Sequence, residues 1–167
     1  MSFSIYEVLV PSSNTFLGNL DTILDKAAEF AQRKEIDPAV LLNARLAPDM
    51  FPLTRQVQIA CDMVKGAAAR LSGTEIPKFE DNETTLPELK ARIAKTLAFV
   101  NSIAADKFTG SEKRDILLQM RRGDLKFVGG EYLRDFVLPN LHFHVTTAYL
   151  ILRHNGVEVG KKDYLGR

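Results

Sequence analysis

Cysteine is almost missing from this chain of 167 residues: Cys61 stands alone, which excludes an internal disulfide and any cluster of thiolate ligands within one chain. An excess of charge of one sign is missing too. Lysine and arginine number 22 against 21 acidic residues, a formal charge of +1, so the basic imbalance of a nucleic-acid binder is absent and no DNA or RNA partner is expected. No apolar run approaches the ~20 residues of a membrane span, and Met1-Ser2-Phe3-Ser4 opens without a basic segment ahead of an apolar one. The expectation is a cytoplasmic protein with no membrane partner. Internal repeats and low-complexity segments are also lacking. The length suits one domain over residues 1–167, with a proper core, rather than two.

What the chain does contain is helical periodicity. Between Ile5 and Lys34, Leu9, Phe16, Leu20, Ile23, Leu24, Ala27 and Phe30 recur at helical spacings. Pro11 falls inside this pattern and predicts a kink or a separate first turn, with the proline near the start of the main helix. Asp37-Pro38 reads as an N-cap and first position of a short helix. The proline-interrupted connector Leu46–Pro52 leads to a second long helix over Leu53–Leu71, with Leu53, Val57, Ala60, Val64 and Leu71 on its core face. Cys61 borders that face and, with no basic residue immediately flanking it, reads as a small buried hydrophobe rather than a reactive thiol. The acidic run Glu80-Asp81-Asn82-Glu83 reads as solvated surface. Thr85 and Glu88 form a capping box for a third long helix with Leu89, Ile93, Leu97, Val100 and Ile103 on one face, ending near Asp106.

The pattern changes at Lys113. Ile116–Met120 and Leu125–Val128 are short alternating runs around Arg121-Arg122-Gly123-Asp124, a β-hairpin with a glycine in its turn. Arg121, Arg122 and Lys126 could hold an anion there, or simply form a solvated turn. A fourth helix begins near Glu131, and Pro139 predicts a bend, because it leaves the carbonyl of Asp135 without its helical partner. The helix continues through Asn140–Gly156, NLHFHVTTAYLILRHNG, which holds all three histidines. Leu141, Val145, Ala148 and Leu152 share one stripe with His144 on its flank, while Phe143 and Leu150 form a second, outward stripe. A helix apolar on two sides needs a cover, and a homodimer is one solution. The tail Val157–Arg167 could lie back over the rest. The sum is an all-α fold: an antiparallel four-helix bundle with a small β-hairpin inserted before the last helix.

Metal sites in such bundles sit in the core, and one helix supplies two ligands only at spacings of three or four. His142 and His144 are two apart, and His144 and His154 lie roughly 15 Å apart along the axis, so neither pair can chelate one ion. His154, beside the helix stop, can simply interact with the helix C-terminus. Ser12, Ser13, Thr146 and Thr147 are available as nucleophiles, but no spacing singles one out, and both threonines can bond back to their own helix.

Here the chain resembles the DinB/YfiT-like bundle superfamily of metalloenzyme type, and within it a group known as a domain of unknown function that shares the PNLHFHVTTAYLILRHNG-like ending. The superfamily's last helix has a His-x-x-x-His pair followed by Leu-Arg and a glycine stop. His144, Leu152-Arg153 and Gly156 match those offsets, with Asn140 where the first histidine would be. A third histidine comes, in that superfamily, from the second long helix, which here has none; Gln58 or Asp62 could stand in its place. The resemblance implies an up-down-down-up bundle, often a dimer, and in intact relatives a divalent zinc- or nickel-like site used for thiol S-transferase or hydrolase chemistry. One imidazole among amides implies instead a degenerate metal site with no cofactor, His144 being the one residue left to touch a metal. The expected pocket comprises His144, Asn140, Gln58, Asp62 and Tyr149. The expected function is a non-catalytic small-molecule-binding or interaction protein; the alternatives are the metal-dependent transferase or hydrolase, or a structural homodimer scaffold.

Overall fold

Ser4 starts the first helix: its hydroxyl accepts from the N–H of Glu7, and the Glu7 carboxylate accepts from the N–H of Ser4, 3.2 and 2.8 Å. The structure, a computed structural model, describes residues 3–120 and 123–167. Helix α1 runs unbroken over Ile5–Lys34 with Pro11 two turns inside it, which corrects the expected separate first turn. The proline faces solvent, so water can take the Glu7 carbonyl that it leaves without a partner. Asp37 caps α2 (Pro38–Asn43), α3 spans Leu53–Ser72, and the reciprocal Thr85–Glu88 box opens α4 (Leu86–Ser102). Helix α4 thus stops a turn short of Asp106; two short 3-10 turns, Ala105–Phe108 and Ser111–Lys113, take up the rest.

Strands β1 (Asp115–Leu118) and β2 (Leu125–Val128) pair antiparallel, with Ile116 opposite Phe127. Arg121 and Arg122, of the suggested anion site, lie outside the described residues. The hairpin runs straight into one turn of helix, α5 (Gly129–Glu131), then a π-helical segment Tyr132–Val137, then α6 (Leu138–His154). The wide turns answer Pro139. With no N–H at Pro139, the N–H of Leu138 donates five residues back to Leu133, and the Asn140 side chain donates to the Phe136 carbonyl at 2.6 Å.

Among the described residues the fold is all-α with this one two-stranded sheet. Helix α3 packs against both α4 and α6, and α1 packs against α3, α4 and α6. The stripes expected for α3 and α6 are fully buried. Short α7 (Lys161–Leu165) folds back on α1, held by Asn19 to the Tyr164 carbonyl at 2.9 Å and Lys26 to Asp163 at 2.6 Å. No described helix is long and apolar enough to cross a membrane.

Candidate functional site

Two polar clusters flank α3, and its helical phase decides which residue joins which. Gln58 is two residues from Gln56, about 200° around the helix, and Asp62 is displaced by about 120° in the other direction. Gln56 therefore points to α6, whereas Gln58 and Asp62 point to α4 and the loop before it.

On the α6 side, Nδ1 of His144 lies 2.7 Å from Oε1 of Gln56, and Nε2 of Gln56 donates to the Phe51 carbonyl at 3.0 Å. Both side chains are buried, His144 at 9% exposure and Gln56 at 1%. Because the Gln56 amide nitrogen is committed to a carbonyl, its oxygen faces the ring, so Nδ1 carries the proton and donates. The lone pair is then on Nε2. Burial, helped by the nearby positive charge of Arg55, pushes the His144 pKa below its ordinary value and keeps the ring neutral. The rings of Phe143 and His144 meet edge to face, centroids 5.2 Å apart.

Of the other residues expected around His144, Gln58, Asp62 and Tyr149 make their contacts elsewhere. Asn140 sits one turn before it in α6 with its amide turned to the Phe136 carbonyl. Tyr149 is half-buried and packs on Tyr164, centroids 6.1 Å apart. Gln58 donates to Glu83 at 2.8 Å and accepts from Arg55 at 3.1 Å, and Asp62 is paired with Lys65 and Arg92, each at 2.9 Å. Gln56 is the partner that sequence reasoning missed. Nothing in the α3 sequence distinguishes it from Gln58, since both border the core stripe; only the position of α6 does. His142 packs edge-on to Phe16, centroids 4.4 Å apart, and burial lowers its pKa. Thr147 bonds back to its own helix at Phe143, but Thr146 reaches the Tyr164 hydroxyl instead, 3.1 Å away.

Residues 80–82 are exposed, as read from the sequence, but Glu83 is half-buried and the second cluster ties the run to Arg92. Arg92, its side chain 1% exposed, donates to Asp62, Asp81 and Glu83 and to the Glu80 carbonyl, all at 2.9–3.0 Å. Arg55 also pairs with Asp81. Phe79 lies under three cations, Lys65 and Lys95 each at 4.2 Å and Arg92 at 5.8 Å from the ring centroid. Burial alone would raise the Asp81 and Glu83 pKa values, but the hydrogen bonds and charges of Arg55 and Arg92, and the Gln58 amide on Glu83, outweigh it and hold both below the usual carboxylate range. Deep burial pushes the Cys61 thiol up to about 12, so it is inert, as its place beside the core stripe suggested. These groups strap the loop between α3 and α4 onto both helices.

The family model described as a domain of unknown function, DUF1993, matches residues 5–165. The chain belongs to that family. A crystal structure of a DinB family member protein from Shewanella denitrificans is 48% identical to it, with a TM-score of 0.90 over 98% of this chain and 92% of that one. No curated protein matches. The DUF1993 chain thus has the DinB-like fold that its last helix suggested. Among its described residues, no three His, Cys, Asp or Glu side chains are grouped so that they could hold a metal ion. Around His144 it presents one imidazole and two carboxamides, Gln56 and, one turn away, Asn140, each amide hydrogen-bonded to a backbone carbonyl. That set does not fit zinc or nickel, which favour nitrogen and thiolate donors.

Proposed function

We propose that this DUF1993 protein is an up-down-down-up bundle whose ancestral metal site has become a hydrogen-bonding pocket, and that it works as a non-catalytic small-molecule-binding or interaction protein. The observation that supports this reading is the His144–Gln56–Phe51 link, which fixes a neutral, nearly buried imidazole in one tautomer. A ring held this way offers a partner an acceptor of set direction at Nε2 and no charge. It is suited to recognising a hydroxyl, amide or amine N–H rather than an anion.

Elemental analysis of protein purified without chelators tests it. The expected result is no stoichiometric metal, with His144→Ala lowering the melting temperature and leaving metal content unchanged. Stoichiometric zinc or nickel that disappears in His144→Ala would instead support the thiol S-transferase or hydrolase reading. A homodimer is a second reading, favoured by Phe143 and Leu150, which are 55% and 41% exposed on one face of α6, and by Phe51 at 56% beside the same link. Sedimentation velocity over a concentration series should then show a dimer that Phe143→Asp converts to monomer.

A further inference from the structure

Among the clefts lined by neither His144 nor the Arg92 cluster, one of 530 Å³ lies where the end of α1, the start of α2 and the start of α4 meet. Its size is that of a small-ligand site. Ile36, Pro38, Leu42, Leu86 and Pro87 line it with apolar surface, and Asp37 is the one charged side chain among the described residues that line it. Leu42 and Leu86 are buried in the core, so the floor is fixed.

Helix starts usually draw anions, because their free N–H groups point outward. Here that attraction is weakened locally. Pro38 and Pro87 have no N–H to offer, the Ala39 N–H is taken by the Asp37 carboxylate at 2.9 Å, and the Glu88 N–H is taken by the Thr85 hydroxyl at 3.3 Å. What remains is a mainly apolar wall, with Gln32, Thr84 and Thr85 as its neutral polar members and a single carboxylate, one oxygen of which is bonded to Ala39. That arrangement complements a ligand with an apolar body and one cationic head.

We propose that the cleft between α1, α2 and α4 binds a small arylalkyl or alkyl amine, the apolar body on Leu42 and Leu86 and the ammonium on Asp37. This site is separate from the His144 pocket and does not depend on how that pocket is read. The probe is phenethylamine in its protonated form, with phenylacetate and phenethyl alcohol as anionic and neutral controls, followed by methyl NMR of Ile36, Leu42 and Leu86. Saturable shifts confined to these methyls are expected, with a dissociation constant on the millimolar scale of a single-ring ligand. Phenylacetate should bind more weakly than the amine. Ala28→Phe, at an exposed position on the cleft wall, should abolish binding. Asp37→Asn keeps the helix cap, since asparagine caps as well as aspartate, and should weaken the amine about threefold while leaving the alcohol unchanged. Absence of saturable shifts at those methyls, phenylacetate or phenethyl alcohol binding as tightly as the amine, or binding that survives Ala28→Phe would overturn the proposal.

Discussion

Replacing Gln56 and Asn140 together by histidine should turn the His144 pocket into a zinc site. Asn140 is four residues before His144 on the same face of α6, and Gln56 already lies within hydrogen-bond distance of the His144 ring, so three imidazoles would converge, a donor set that suits zinc. The double variant loses the Gln56 bonds to His144 and Phe51 and the Asn140 bond to Phe136, at about 1 kcal/mol each. Without metal it should therefore melt about 6–12 °C below the parent, taking about 2–4 °C per kcal/mol for a chain of this size. Zinc at about a hundredfold above its dissociation constant adds about 2.7 kcal/mol, which should raise the variant by about 5–11 °C. Differential scanning fluorimetry with and without zinc, reversed by chelator, reads both steps. A parent protein that shows the same zinc-dependent rise, or a folded variant that zinc leaves unmoved, would refute the claim that the two carboxamides are what bar the metal.

The Arg92 strap makes acid stability predictable in sign. Asp81 and Glu83 have folded-state pKa values below their unfolded ones, so their contribution is present above about pH 4 and is lost as pH falls through the depressed folded values. Urea midpoints between about pH 6 and 3 should fall more steeply in the parent than in Arg92→Met, which should already be about 3 kcal/mol less stable at the upper end, because Asp62, Asp81 and Glu83 lose the buried guanidinium they share and keep only Lys65, Arg55 and Gln58. Equal slopes would show that the strap adds nothing. At the hairpin exit, a Cβ on Gly129 would lie 1.9 Å from the Ser111 backbone oxygen, which cannot rotate aside. Gly129→Ala should cost about 3 kcal/mol in thermal unfolding, at the upper end for overpacking, and a change near zero would mean that the 3-10 turn yields freely.

Much of the fold was legible in the sequence because its signals are local. The Thr85–Glu88 box, the Asp37-Pro38 start, the α3 and α6 stripes and the hairpin each depend on residues within a turn or two of one another. Pro11 misled because a proline rule treats the freed carbonyl as a defect, and here that carbonyl faces water. The site was less legible for a geometric reason: a helical wheel gives the angle between Gln56 and Gln58 but not which neighbouring helix lies at each angle. The acidic run is exposed over residues 80–82 as read, but its pairing was hidden for the same reason, since Asp81 and Glu83 meet Arg92 only after α4 has folded alongside. One signal was available, an arginine at position 92 between Leu89 and Thr96 on the inward side of α4, where an unpaired guanidinium could not remain.

The widened turn between Tyr132 and Val137 sets the phase between hairpin and last helix. Each π-type turn takes in roughly one more residue than an α-turn, so side chains before Pro139 are offset from those after it. A deletion of one residue from this stretch would leave a regular spiral of sound local geometry, yet it would swing the hairpin about 100° around the axis. Tyr132 and Leu133 would be carried out of the core while His144 stayed where it is. Length in this segment should therefore be held more tightly than residue identity.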